Sequence, residues 1–310
     1  ARSSTPSSLF EAPVVASDTL EWSQLPELKV DPSDSMAAWL AGVSVPDPTA
    51  RLAVLDGATE QTVEVQLARA RAAIDAGQSE VAEAALNAVL VEDPWEWRAV
   101  WLNGLACLAR SDSAAAQAAF NGVYGQVPGE LAPKLALALA CERGGQPDVA
   151  EQLYSVCART DASFTPPAAF GLARIRAARG DVAGALDALD LVAPTSRAYV
   201  DARRRRASLL ATSRQSLDAL AAAIDSIANV SIDPRDRQAL VVEVLESALA
   251  EVRRSGPHPS TTIAGIPAGE RDLREGVERA YRQLAALTED HRERVRLVDA
   301  ANRARPRTLV

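Results

Sequence analysis

The chain has 310 residues, 48% of them hydrophobic but only 4% aromatic, so it is long enough for a large core built mainly from Ala, Leu and Val. A net charge of −8 argues against a general nucleic-acid footprint, which needs a basic face. Three cysteines without a CxxC pair, two separated histidines and no run of 18 apolar residues leave no zinc spacing, disulfide framework or membrane span to read.

Residues 1–60 read as an extended Pro/Ser-rich linker, punctuated by Ser3, Ser4, Pro6, Ser7, Ser8, Pro13, Pro26, Pro32, Pro46 and Pro48. Two apolar clusters interrupt it: Leu20, Trp22 and Leu25, then Met36, Trp39 and Leu40. These either dock in a groove or on another domain, or form short helical turns that pack on the first repeat.

From 61 to 193 one pattern recurs four times, at spacings of 34, 34 and 35 residues. A small residue opens each copy (Gly77, Ser111, Gly145, Gly180), and Ala follows five positions on (Ala82, Ala116, Ala150, Ala185). Bulky Leu86, Phe120, Tyr154 and Leu189 come four later, then Val89, Val123, Cys157 and Val192 after three more. Seven residues before each turn stands another small residue, Ala70, Gly104, Ala138 or Ala173. This is the tetratricopeptide period: paired helices cross at the small positions and the bulky ones fill the seam. Pro94 and Pro128, each 17 residues past a turn, end second helices. Cys107, Cys141 and Cys157 fall inside these apolar patterns and read as buried thiols.

Between 194 and 254 the register drifts into divergent helix pairs, expected over Arg197 to Thr212 and Gln215 to Ala228, with Asp233 and Pro234 opening a further helix to about Arg254. Gly and Pro make 255–269 a loop, and 270–310 holds capping helices, Glu270 to Leu287 and Glu289 to Ala304. The predicted fold is all-α: a right-handed superhelical tetratricopeptide solenoid with an N-terminal linker and a divergent C-terminal cap.

In such a solenoid the first helices line the concave face. Their fifth positions are Leu67, Trp101, Leu135 and Phe170, and their ninth positions Arg71, Leu105, Leu139 and Arg174. These eight are the candidate partner contacts, an apolar strip suited to an amphipathic or extended segment rather than a carboxylate clamp; ordinary inter-helix packing is the competing reading. Arg203 to Arg206 reads as a solvated cationic face, and Trp95, Trp97 and Trp101 as either a contact cluster or core. No phosphate loop or GxSxG elbow is present, and His291-Arg292-Glu293 lacks the Asp base of a kinase catalytic loop, so no catalysis and no cofactor are expected of this chain. It reads as soluble, without an export signal of its own.

Longer stretches carry a resemblance. Pro128-Gly129-Glu130-Leu131-Ala132-Pro133-Lys134-Leu135, Ala168-Ala169-Phe170-Gly171-Leu172-Ala173-Arg174, Pro194-Thr195-Ser196-Arg197, Leu273-Arg274 with Gly276-Val277-Glu278, and Leu297-Val298-Asp299 are similar to the C-terminal tetratricopeptide region of the actinobacterial serine/threonine protein kinase G family. So are Trp95, Trp97, Arg98 and Trp101, and the linker residues Leu25-Pro26 and Val30-Asp31-Pro32. The resemblance implies a cytoplasmic regulatory region of a kinase whose catalytic domain is absent here. It further implies dimerisation, protein partners including that kinase domain and a forkhead-associated-domain substrate, control of 2-oxoglutarate and glutamate metabolism, and a link to a membrane-bound sensor. A free-standing adaptor for extended or amphipathic peptides is the alternative.

Overall fold

The computed structural model describes residues 8–13, 20–212, 216–228 and 230–306. Ser3, Ser4, Pro6, Ser7 and Gln215 lie outside them. The chain divides into two compact units, Ala1–Ile175 and Arg176–Val310.

In the first unit, α1 (Ala37–Ala41) and α2 (Pro48–Asp56) lie inside the stretch read as linker, and α2 packs on α3. Asp47 caps α2, accepting from the Ala50 N–H, and Pro48 takes the first helical position, where its missing N–H costs nothing. Then come α3 (Val63–Asp75) with α4 (Ser79–Glu92), α5 (Trp97–Ala109) with α6 (Ser113–Gln126), and α7 (Ala132–Arg143) with α8 (Pro147–Thr160). Each pair packs tightly, and α4 also meets α5, as α6 meets α7.

The small residue that opens each copy is the turn itself. Gly77, Ser111 and Gly145 all adopt the left-handed conformation, with φ of 70°, 63° and 73°. The next N–H reaches back five residues: Gln78 to the Ala73 carbonyl, Asp112 to Cys107 and Gln146 to Cys141, each at 2.8 Å. This Schellman closure satisfies orphan carbonyls and reverses the chain, which is why glycine is favoured there. The crossing positions are equally literal. Gly104 faces Phe120 so closely that a Cβ would stand 2.5 Å from Cε1 of the ring. Gly171 faces Tyr154 in the same way. Ala70, Ala116, Ala138 and Ala150 are completely buried.

Helix α9 (Thr165–Ala178) carries the boundary between the units. The second unit continues with α10 (Val182–Asp190), α11 (Tyr199–Thr212), α12 (Leu217–Ala228) and α13 (Pro234–Ser255). Gly180, at φ 79°, makes the same turn before α10, and Ala185 and Leu189 are fully buried. Asp233 caps α13 and Pro234 opens it. The segment read as a loop holds instead an antiparallel hairpin, β1 (His258–Ile263) and β2 (Ile266–Ala268). Its two-residue turn, Ala264 and Gly265, has positive φ at both positions, matching the twist of the strands. The strands are held because Ile263 and Ala268 are wholly buried against a core that includes Leu220, Val244, Leu245 and Leu273. Gly276 on α14 (Glu270–Ala286) lets Ile266 approach, since a Cβ there would meet Ile266 at 2.4 Å. Helix α15 (His291–Ala304), capped by Asp290, packs along α14.

Candidate functional site

The positions read as concave lie on α3, α5, α7 and the first part of α9. Leu67, Trp101, Leu105, Leu135, Leu139 and Phe170 are all buried. Arg71 on α3 and Arg174 on α9 are engaged in ion pairs, Arg71 with Asp75 and Arg174 with Glu142 at 2.8 Å. Glu142 also accepts from the Tyr154 hydroxyl at 2.7 Å, and burial beside that carboxylate pushes the Tyr154 phenol well above its ordinary range. The apolar members are closed off by burial, and at Arg71 and Trp101 part of the cover comes from the chain's own N-terminal segment.

That segment is a strap. Residues around Phe10 and Leu28 pair antiparallel, the Glu11 N–H donating to the Glu27 carbonyl at 2.8 Å and Lys29 N–H to Leu9 at 3.1 Å. The pairing presents Phe10, 2% exposed, to two tryptophans: its ring lies edge-on to Trp101, centroids 4.8 Å apart, and 5.5 Å from Trp97. Trp101 continues the stack to Phe120 at 5.2 Å. Tilted and edge-on contacts of this kind are the favourable ones for ring quadrupoles.

Polar contacts fix the strap to successive first helices. Glu130, just ahead of α7, accepts from the Ser8 hydroxyl at 2.8 Å and the Leu9 N–H at 3.0 Å. Arg143 at the end of α7 donates to the Leu20 carbonyl and pairs with Glu21 at 2.7 Å. Glu21 and Gln24 close a capping box around a 3-10 turn, Trp22–Gln24. Arg71 donates to the Ser23 carbonyl at 3.3 Å, and its guanidinium lies 5.9 Å from the Trp22 ring centre. Leu20 and Leu25 are buried between these anchors. The strap thus touches α3, α5 and α7 in turn, at or beside the candidate positions Arg71 and Trp101.

Beneath the strap lies an ionic cluster. Glu64, 5% exposed, pairs with Arg98, which also binds Glu96 at 2.7 Å. Burial pushes the Glu64 carboxyl above its usual range despite Arg98, whereas the Arg98 hydrogen bonds hold Glu96 below it. Arg98 itself is shifted up, chiefly by its Glu96 hydrogen bonds. A cleft of about 190 Å³ opens between this cluster, the strap and α2.

Of the tryptophan cluster, Trp95 is 77% exposed, whereas Trp101 is fully buried. In the second unit Arg203 and Arg206 both pair with Asp190, and Arg204 with Asp201 and Asp236, so the cationic run meets acidic neighbours within its own unit. All three cysteines are buried free thiols. Among the described residues no group of His, Cys, Asp or Glu is arranged to hold a metal, and no helix is long and apolar enough to cross a membrane. Phe10 of the strap, and Glu130 and Arg143 of its seat, were not singled out as site residues by sequence reasoning. In the strap itself the cluster Leu20, Trp22 and Leu25 was the visible signal.

The repeat region has relatives among known proteins. The family described as "Protein kinase G tetratricopeptide repeat" matches residues 14–308. "Serine/threonine-protein kinase PknG" of Mycobacterium leprae is 34% identical over 96% of this chain, and the same-named protein of Mycolicibacterium smegmatis is 34% identical over 79% of it. The chain spans only 40% and 32% of those relatives' lengths. Among solved structures, the C-terminal part of a TPR repeat-containing protein from Cytophaga hutchinsonii superposes with a TM-score of 0.57 over 81% of this chain and 94% of its own, at 10% identity. That likeness supports the tetratricopeptide fold.

Proposed function

The chain belongs to the protein kinase G tetratricopeptide repeat family, and from that premise we propose that it is the non-catalytic interaction and regulatory region of a serine/threonine-protein kinase. In this reading it brings partners or substrate to the catalytic domain and supports pairing of two copies. The partners are proteins: the kinase domain itself, a forkhead-associated-domain substrate, and a membrane-bound sensor that would draw a cytoplasmic protein to the bilayer. The output is control of 2-oxoglutarate and glutamate metabolism.

The observation that carries the reading is the strap. The first helices hold an extended segment by the means a partner peptide would require: an aromatic anchor against Trp97 and Trp101, and side chains of Arg71, Glu130 and Arg143 on its backbone or carboxylate. A protein segment of like pattern would meet Arg71 and Trp101 first, and Leu67, Leu105, Leu135, Leu139, Phe170 and Arg174 where the helices yield to it.

The test is to join this chain to the catalytic domain of a relative. Phosphorylation of a forkhead-associated-domain substrate, and its co-purification with the kinase, should both change relative to the catalytic domain alone. No change in either would overturn the reading. A partner captured equally without any kinase domain would favour a free-standing adaptor.

A further inference from the structure

The cleft under the strap has the features of a small-molecule site. One wall is a single face of α3, where Glu64, Leu67, Ala68 and Arg71 succeed each other at helical spacing. Its two charged ends are about 10 Å apart, seven residues along a helix. Leu28 and Val30 of the strap, Leu40, Leu55 and Leu102 make the other walls apolar.

The ends are not equivalent. Glu64 is already matched by Arg98, which Glu96 also holds. At the far end Arg51 and Arg71 share one carboxylate, Asp75. Two guanidiniums present ten N–H donors between them, more than Asp75 and the Ser23 carbonyl accept. Glu27 stands 3.9 Å from Arg71, but its side chain is 71% exposed and the contact is screened by water. The cleft, whose rim also carries Glu27, therefore has an apolar middle and two guanidiniums with donors to spare at one end. Trp101 also contributes to its wall, while its indole nitrogen is fully buried.

We infer that this cleft binds a small carboxylate with an apolar body, its carboxylate on Arg51 and Arg71 and its hydrocarbon against Leu40, Leu55, Leu67 and the strap. Bidentate guanidinium recognition suits a carboxylate. An amine has no acceptor to offer the two guanidiniums, and an uncharged hydrocarbon would likewise leave the donors unused. Because Leu28 and Val30 form part of the wall, an occupied cleft also stabilises the seated strap. The site goes beyond the protein-partner reading above and does not depend on it.

Sodium octanoate, below its micelle-forming range, is the probe, with octan-1-ol and octylamine as the uncharged and cationic controls. Thermal melts of the full chain and isothermal titration should show dose-dependent protection by octanoate and little by either control. Arg51→Gln, which leaves the strap contacts of Arg71 in place, should weaken octanoate at least about tenfold, the loss of one charge-assisted contact. Ala68→Leu fills the cleft without touching an ion pair and should abolish the effect; circular dichroism confirms the fold of each variant, and Ala68→Leu decides if Arg51→Gln fails to fold. Absence of octanoate protection in the unaltered chain, equal protection by octan-1-ol, or titrations unchanged in the variants would overturn the assignment.

Discussion

Replacing Phe10 by Ala removes the strap's aromatic anchor while leaving its other fixings. The ring is 2% exposed and lies against two tryptophans. Burying such a side chain contributes about 1.5–3 kcal/mol, and each well-placed aromatic pair adds about 0.5–1.5 kcal/mol. The expected loss is about 3–5 kcal/mol, the range seen for buried Phe→Ala changes. The cost should fall on the strap rather than on the repeats, because Trp101 retains Phe120 and the α5–α6 packing is untouched. Hydrogen exchange reads this directly. The Glu11 and Lys29 amides, which bond across the pairing, should exchange about a hundredfold faster or more, while amides inside α5 and α6 keep their protection. Tryptophan emission should shift to the red as Trp97 and Trp101 are uncovered. Unchanged exchange at both amides, or equal loss of protection throughout α5, would refute the reasoning.

Ser111 alone among the repeat turns is a left-handed residue other than glycine, at φ 63°. Ser111→Gly removes a strain of about 1–2 kcal/mol and gives back about 0.5–1 kcal/mol in unfolded-chain entropy, so the melting temperature should rise by about 2 °C; a fall would contradict the turn assignment. Gly104→Ala sets a methyl against the Phe120 ring and should cost about 1–3 kcal/mol in denaturant unfolding, less when Phe120 is also Leu; strict additivity of the two changes would argue against the close approach. Burial pushes the Cys157 thiol up to about 12, so it should resist a disulfide reagent at pH 8 in the folded chain and react once unfolded; labelling at the unfolded rate would show the site to be open. The folded thiol keeps a proton that the unfolded one, near 9.0, releases, so its contribution to stability is lost as pH climbs between those values.

The repeats were legible because their determinants are local. Gly77, Gly145 and Gly180 mark turns through a backbone requirement, and Ala82, Ala116, Ala150 and Ala185 mark crossings through a volume requirement, so both survive as a fixed spacing. The Asp233-Pro234 helix start was readable for the same reason. The hairpin at 258–268 was not: its strands are short, irregular in register, each carry a proline and lie between glycines, and what holds them is burial of Ile263 and Ala268 against α12, α13 and α14. The strap was legible only in part: Leu20, Trp22 and Leu25 marked a segment able to dock in a groove, but its Phe10 anchor was hidden for a related reason. Leu9 and Glu130 stand 121 residues apart, and one phenylalanine in a Ser/Pro-rich stretch has no period to betray it. The positions read as concave fall on α3, α5, α7 and α9, but their surroundings were hidden, because Trp101 packs against a segment whose own sequence does not say which helix it meets.

The strap is tied by its own chain to the surface on which it rests, so it confronts that surface at a local concentration of order millimolar, whatever the protein's abundance. A peptide arriving from outside meets mostly occupied sites, and its apparent affinity is reduced by the fraction of molecules with the strap released. A fragment trimmed of residues 1–30 would bind such peptides more tightly than the entire chain does. Affinities measured on trimmed repeats would therefore overstate what this chain offers, and any event that loosens residues 8–13 and 20–30 would raise binding without altering a single candidate contact residue.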